Sequence, residues 1–195
     1  KINNRKILSG IVEVLGAQGK ETDLLVAIDK LDKIGQDKVI AELQERGFGQ
    51  EAVKRLAPLF ELQGSNQEKL NQLRDMLTDS EIGIQGVSEV EEVIEKVQLM
   101  GSAAKCLEFD VTLARGLSYY TGAIFEVKAN NASMRSSISG GGRYDNLTGV
   151  FGMPGMSGVG ISFGVDRIYD VMEELSLFPE ENLAVTRVLL ISFDE

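Results

Sequence analysis

The chain has 195 residues, 43% of them hydrophobic, and carries a formal net charge of −10. It is long enough for one ordinary domain, or for a core with a small appended unit. It has no histidine and a single cysteine, Cys106, which excludes catalytic triads, histidine-based acid–base catalysis, an internal disulfide and the usual zinc ligand sets.

The apolar pattern and the charge bear on location and partners. No apolar run approaches the roughly eighteen residues that a membrane span needs, and no charged-then-apolar leader opens the sequence. We therefore expect a cytoplasmic protein that does not bind membranes. The net charge of −10 by itself argues against nucleic acid binding, because phosphate contacts require clustered Lys and Arg. A large RNA can still meet a local basic patch or another domain.

The first hundred residues are mostly helical in pattern. Residues 1–3 resemble the end of a strand, and Asn4 is placed to be the N-cap of a helix. From 22–100, apolar residues recur at helical spacing in five short stripes, and the fifth opens with a predicted capping box formed by Ser88 and Glu91. Core packing explains every stripe, so none is assigned a ligand.

In the second half, the apolar period changes from that of a helix to that of a strand. Alternation predicts strands at 107–111 and 123–127, and an apolar run predicts a third at 159–163. A helix should follow at 165–175. A buried type of strand at 188–192 should begin another domain.

These elements predict an α+β fold, in which an antiparallel sheet with flanking helices is interrupted by an all-α insertion. The sheet-bearing core is predicted to consist of residues 1–28 and 101–184. The insertion is assigned to residues 29–100, and the start of a further domain to residues 185–195.

Arginine, glycine and tyrosine come together in residues 115–122, Arg-Gly-Leu-Ser-Tyr-Tyr-Thr-Gly. Arg115 offers a planar fork of donors and a permanent charge, which suit a carboxylate or a phosphate. Tyr119 and Tyr120 can hold a polar ring or an amino group. Neighbours on a strand point to opposite faces, so only one of them should face the pocket of Arg115 unless a bulge intervenes. The alternative is an exposed ion pair with two half-buried tyrosines.

A glycine run and a second arginine follow. The run is Gly140, Gly141 and Gly142, with Tyr144 two residues further on. It is either a ligand-binding nest or a bulge or close crossing in the sheet, and it lacks the Lys-Ser/Thr ending of a P-loop. Arg167 lies in the first turn of a predicted helix, where the N-terminus already favours anions. A surface salt bridge is the alternative for this arginine.

Together these strings resemble the histidine–tRNA ligase family of class II aminoacyl-tRNA synthetases. Residues 115–120 resemble the family signature Arg-Gly-Leu-x-Tyr-Tyr, and 158–167 resemble motif 3, Gly-x-Gly-x-x-x-Gly-x-x-Arg. The helical unit resembles the family's insertion, and the last strand resembles the start of its anticodon-binding domain. The resemblance covers essentially the whole chain and implies the class II antiparallel sheet.

The resemblance implies a reaction and its residues. Histidine would be activated with ATP, supplied as its Mg²⁺ complex, and transferred to tRNA(His) by an enzyme that is a cytoplasmic homodimer and holds no metal of its own. Arg115 would be catalytic, contacting both the histidine carboxylate and the α-phosphate of ATP, and Arg167 would bind the γ-phosphate. Tyr119 and Tyr120 would lie in the histidine pocket, with Tyr120 nearer the imidazole. Tyr144 and the backbone of Gly140, Gly141 and Gly142 would complete that pocket.

The sequence also departs from the family pattern. Ser118 stands where many relatives carry an acid, and motifs 1 and 2 would precede Lys1, so we expect the chain alone to be inactive. Two other functions remain open: a synthetase-like regulatory subunit of histidine biosynthesis, and a synthetase-like domain that senses uncharged tRNA. Arg115, Arg167 and the helical insertion favour the ligase.

Overall fold

A computed structural model describes residues 1–101, 105–114, 119–179 and 191. Its strands are β1 (Ile2–Asn4), β2 (Ala123–Val127), β3 (Ser139–Tyr144) and β4 (Gly158–Phe163). Its helices are α1 (Arg5–Val14), α2 (Glu21–Asp29), α3 (Leu31–Ile34), α4 (Gln36–Glu45), α5 (Gln50–Phe60), α6 (Asn66–Met76), α7 (Glu81–Leu99), α8 (Leu147–Val150) and α9 (Val165–Glu174). Within these ranges no helix has the length and apolarity that crossing a bilayer requires.

The four strands form one antiparallel sheet in the order β1-β2-β3-β4. One row of residues across the sheet is Asn3, Ile124, Gly142 and Gly160, and the neighbouring row is Ile2, Phe125, Gly141 and Ile161. The helices between β1 and β2 are inserted between two adjacent strands of this sheet. The predicted α+β fold with an interrupted antiparallel sheet is therefore confirmed.

Helices α1 and α7 cross at glycines and pack beside the sheet. The Cα of Gly83 is so close to Gly10 that a Cβ added at Gly10 would lie 2.5 Å from it. A Cβ at Gly86 would lie 2.6 Å from the backbone nitrogen of Ile7. Helix α7 also contacts β1 and β2. Because glycine has no side chain, one helix of the predicted insertion can lie directly against the sheet-bearing core.

The helices and the sheet share one apolar core. It runs without a break from Ile2 on β1, through the inner faces of the helices, to Phe109 and Ile124. Its fully buried side chains include Leu24, Leu43, Leu56, Leu70 and Leu73. The proposed boundaries at residues 28/29 and 100/101 cut through this core, and they stay predictions. The strand predicted at 188–192, and nearly all of 185–195, lie outside the described residues.

The capping box predicted at Ser88 and Glu91 is wrong. Helix α7 begins at Glu81, and its N-cap is Ser80, whose hydroxyl accepts a 3.1 Å hydrogen bond from the Gly83 amide. Two of the first residues on its buried face are glycines, so the start of the apolar stripe was not visible in the sequence. A capping box does occur at Ser65 and Glu68, at the start of α6.

The strand predicted at 107–111 is also wrong. Only Phe109 makes a bridge, parallel to Ile2 of β1. The segment turns immediately afterwards, because the Asp110 carboxylate accepts hydrogen bonds from the backbone and hydroxyl of Thr112 at 2.9 Å and 2.6 Å. Asp and Thr favour such local turns over a continuous ladder.

Replacing Gly10 by alanine should destabilise the protein by about 1–2 kcal/mol, because overpacking at the helix crossing outweighs the better helix propensity of alanine. Gly149→Ala is the matched control, since its Cβ would lie 3.7 Å from the nearest atom, the Cα of Pro154. The control should change stability by less than about 0.5 kcal/mol. Urea unfolding of the purified variants measures both, and equal stability of the two would contradict the crossing as described.

Candidate active site

Three tyrosines form an aromatic cluster at the end of β3, which Tyr144 terminates. The ring centroids of Tyr119 and Tyr120 are 4.7 Å apart with an interplanar angle of 64°, and those of Tyr119 and Tyr144 are 6.2 Å apart at 88°. These are edge-to-face arrangements, which aromatic pairs favour. Tyr119 and Tyr120 precede β2 rather than lying on it, so the opposite-face rule for strand neighbours does not apply to them. The structure brings both into one cluster.

The Tyr120 hydroxyl stays protonated at neutral pH. Burial raises the pKa of Tyr120, and a hydrogen bond with the Tyr119 side chain, together with the nearby Tyr144, adds to the rise. A protonated hydroxyl can donate a hydrogen bond to a neutral polar ring or accept one from an amine. This chemistry is compatible with the role that the family resemblance implies for Tyr120.

Glycines in β3 and β4 provide the space that the tyrosine rings fill. A Cβ added at Gly142 would lie 2.9 Å from Cδ1 of Tyr120, and one added at Gly158 would lie 2.4 Å from Cε2 of Tyr144. The ring of Tyr144 also approaches Gly160, where an added Cβ would lie 3.3 Å from Cε1. The glycine run is therefore the middle of a strand, and protein groups approach its backbone closely.

Gly141 makes the closest approach of the run. An added Cβ there would lie 2.0 Å from the Gly160 carbonyl oxygen and 2.7 Å from Cζ of Phe125. Gly140 is much less confined, because its nearest contact would be the Phe125 carbonyl oxygen at 3.3 Å. The sequence left open whether the glycine run is a ligand-binding nest or a bulge or close crossing in the sheet. At Gly141 and Gly142 the structure shows a close approach of protein groups within the sheet.

A cleft of about 700 Å³ lies beside these glycines. Four of the predicted site residues line it, namely Tyr120, Gly140, Gly141 and Arg167. Tyr119 and Gly142 contact Tyr120, and Tyr144 reaches the cluster through Tyr119. The structure thus brings seven of the eight predicted site residues together. Arg115 lies outside the described residues, as do Gly116, Leu117 and Ser118.

Arg167 is an exposed residue at the edge of the cleft. It lies in the first turn of α9, and one guanidinium nitrogen donates a 2.7 Å hydrogen bond to the carbonyl oxygen of Ser137. A carbonyl partner is neutral, so this bond orients the guanidinium without cancelling its charge. The arrangement suits an anionic group in the cleft.

A small polar network fixes the turn after β3. The Thr121 hydroxyl donates to the Asp145 carboxylate at 2.6 Å, and the Thr121 amide donates to the Arg143 carbonyl at 2.9 Å. The Arg143 side chain donates to the same carboxylate at 3.0 Å. The hydrogen bond from Thr121, followed by that from Arg143, lowers the pKa of Asp145. The network joins the residue after Tyr120 to the end of β3.

Several residues of the cleft were not found from the sequence. They include Leu113 at the end of the 107–114 segment, Phe125 and Glu126 on β2, and the serines at 137, 139 and 162. Glu126 accepts a hydrogen bond from the Ser137 hydroxyl. A charged residue within the otherwise apolar string Ala-Ile-Phe-Glu-Val was a usable signal for Glu126. The serines carry no pattern that distinguishes them from loop residues.

Alanine at Gly141 should destabilise the protein by at least about 3 kcal/mol, the upper end of the usual cost of overpacking, because the new methyl group collides with backbone on β4. Alanine at Gly140 should cost less than about 1 kcal/mol, because one contact of 3.3 Å can relax. Thermal unfolding of the two purified variants tests the difference. A Gly140 variant as unstable as the Gly141 variant would show that strand propensity, not close approach, is responsible.

Comparison with known proteins supports the same family over the whole chain. A protein-family model described as histidyl-tRNA synthetase matches residues 1–168. The chain is 56% identical over 195 residues to the histidine–tRNA ligase of Cytophaga hutchinsonii. It is 58% identical over 194 residues to that of Porphyromonas gingivalis. These matches cover 100% of this chain but only 43% and 42% of the two relatives.

Solved structures are similar to this chain in fold. The histidyl-tRNA synthetase from Nostoc sp. PCC 7120 is similar with a TM-score of 0.81 at 36% identity, covering 92% of this chain and 42% of that one. An ATP phosphoribosyltransferase regulatory subunit/histidyl-tRNA synthetase from Bacillus halodurans has a TM-score of 0.72 over 87% of this chain and 43% of its own. Its 22% identity shows a shared fold alone. By its sequence and its fold, the chain belongs to the histidyl-tRNA synthetase family.

Proposed function

We propose that the complete protein containing this chain is a histidine–tRNA ligase. It activates L-histidine with ATP to histidyl-adenylate and then transfers the histidyl group to tRNA(His). One observation carries the proposal: Tyr120, the glycine strand and Arg167 line the same cleft in a chain that belongs to this family. Because the chain spans less than half the length of its relatives, the activity is proposed for the complete protein.

The proposed reaction is an in-line attack of the histidine carboxylate on the α-phosphorus of ATP. Arg115 would neutralise charge on the carboxylate and on the α-phosphate, and Arg167 would hold the γ-phosphate. The protein supplies position and charge rather than covalent chemistry, because such displacements depend mostly on orientation and electrostatic stabilisation. The lack of histidine in the chain is compatible with this mechanism.

The histidine pocket would be formed by the tyrosine cluster and the glycine strand. The protonated hydroxyl of Tyr120 can donate a hydrogen bond to an imidazole nitrogen. The ring of Tyr119 is in edge contact with the ring of Tyr120. Tyr144 would close the pocket through its contact with Tyr119. Gly140 and Gly141 present backbone rather than side chains to the cleft, which leaves room for the substrate.

Mg²⁺ enters this proposal with ATP, as the complex of the nucleotide. Among the residues that the structure describes, no group of three or more His, Cys, Asp or Glu side chains is arranged to hold a metal ion. We therefore propose none of these described residues as a metal ligand. A cytoplasmic location and a homodimeric state of the complete protein remain expectations from the family.

The regulatory alternative shares the fold, and so the fold alone does not separate it from the ligase. The two differ in one measurable property, since a regulatory subunit does not charge tRNA. The relatives at 56% and 58% identity are histidine–tRNA ligases, which supports the enzyme. Aminoacylation of tRNA(His) by the complete protein tests the choice directly, and binding of histidine without any adenylate or charged tRNA would favour the regulator.

We expect this chain alone to be inactive in histidine-dependent ATP–pyrophosphate exchange, whereas the complete protein is active. The chain lacks the motif 2 groups that the family uses on the α-phosphate. Strand β4 also exposes the large apolar side chains of Val159, Ile161 and Phe163 on one face of the sheet, which suits coverage of that face by other parts of the complete protein. Exchange above background by the purified chain would contradict this expectation.

In the complete protein, Arg115→Ala should slow adenylate formation by at least about 100-fold, since one lost charge-stabilising donor typically costs about 3–4 kcal/mol in the transition state. Single-turnover formation of histidyl-adenylate measures this directly. Arg74→Ala is the control, because Arg74 pairs with Glu91 between α6 and α7 and has no place in the cleft lining. Near-normal adenylate formation by the Arg115 variant would remove this residue from the mechanism.

A further inference from the structure

The segment of residues 107–114, here called the lead-in segment, is held along one edge by β1. The Ile2 amide donates to the Glu108 carbonyl at 2.8 Å, and the Asp110 amide donates to the Ile2 carbonyl at 3.0 Å. The lead-in segment runs directly in sequence into the predicted histidine-binding signature at Arg115. Its position therefore bears on the site.

The other edge of the lead-in segment is held by a side chain of the helical unit. The amide group of Asn66, at the first position of α6, donates to the Leu107 carbonyl at 2.9 Å. The same group accepts a 2.8 Å hydrogen bond from the Phe109 amide. A side-chain amide has one donor and one acceptor in nearly the geometry of a peptide group, so Asn66 takes the place of a neighbouring strand. Lys69, one turn further along α6, donates to the Phe109 carbonyl at 3.3 Å.

Asn3 holds the far end of the lead-in segment. This residue is fully buried, and its side-chain nitrogen donates to the carbonyls of Val111 and Leu113, both at 3.1 Å. Its side-chain oxygen accepts a 2.8 Å hydrogen bond from the Asn4 amide, so the whole amide group is engaged. Leu113 is a lining residue of the cleft. The Asn3 amide thus connects β1 directly to the cleft wall.

We propose that Asn66 and Asn3 are positioning residues for histidine binding. They act by fixing the backbone of the lead-in segment, which places Leu113 at the cleft and leads into the signature. This inference rests on the proposed function. It assigns the predicted insertion a role at the amino acid site, through α6, in addition to any contact that the insertion makes with tRNA.

Asn66 is the better residue for a test because it is only half-buried and begins a helix. Alanine is a good helix former, so Asn66→Ala removes both hydrogen bonds to the lead-in segment without weakening α6. Aspartate at the first turn of a helix is favourable, so Asn66→Asp preserves α6 as well. It keeps an acceptor for Phe109 but places a carboxylate oxygen against the Leu107 carbonyl. If Asn66 served only to begin α6, the aspartate variant would have little effect.

The experiment uses the complete protein and measures ATP–pyrophosphate exchange at varied histidine and at varied ATP. Asn66→Ala and Asn66→Asp should each raise the KM for histidine about tenfold, the factor that corresponds to losing roughly one net hydrogen bond. The KM for ATP should stay close to that of the unchanged protein, and the melting temperature should fall by no more than about a few degrees, the cost of the lost hydrogen bonds. Asn71→Ala is the matched control, since Asn71 is an exposed asparagine of the same helix whose side chain bonds Gln67.

Three results would overturn the inference: an unchanged KM for histidine, an equal rise in both KM values, or a fall in kcat alone. The last would mean only that less enzyme is correctly folded. Asn3→Asp provides a second measurement, because it removes the donor to Val111 and Leu113 and should raise the same KM if the variant folds. If the unchanged complete protein shows no histidine-dependent exchange, the proposed function fails, which is distinct from failure of the positioning role.

Discussion

The site depends on how closely side chains and strands can approach glycine backbone in β3 and β4. The ring of Tyr120 lies against Gly142, and that of Tyr144 lies over Gly158 and Gly160. Any side chain at these glycines would occupy the volume of a ring. The same lack of side chains leaves the backbone of Gly140 and Gly141 at the cleft. One sequence feature therefore accounts for both the aromatic cluster and the space beside it.

The helical unit supports this arrangement rather than standing apart from it. Glycines on α1 and α7 allow the two helices to touch, and α7 lies against β1 and β2. On the edge of the lead-in segment that does not face β1, Asn66 of α6 completes the hydrogen bonding. A substitution in this unit can therefore change the cleft without contacting a ligand. Excision of residues 29–100 as a block would remove both supports, so point variants such as those at Asn66 separate the roles more clearly.

The sequence was sufficient where local chemistry determines structure. The N-cap at Asn4, strand β2 and helix α9 follow from side-chain type and spacing, and all three occur in the structure. It was insufficient where distant residues decide. The 107–111 segment alternates like a strand, but it has β1 on one edge and side chains of α6 in place of a strand on the other, and Asp110 turns it. Such a partner, more than forty residues away in sequence, leaves no local signal.

The pairing of positive charges differs between the helical unit and the cleft. Many cations of the helical unit are paired with carboxylates: Lys30 with Glu42, Arg46 with Asp23 and Glu42, Arg74 with Glu91, and Lys96 with Glu92. Pairing of this kind weakens the attraction of that surface for RNA phosphates. The hydrogen bond of Arg167 instead goes to a neutral carbonyl, so its charge is available to the cleft. A net charge of −10 does not reveal such local differences in how the positive charges are paired.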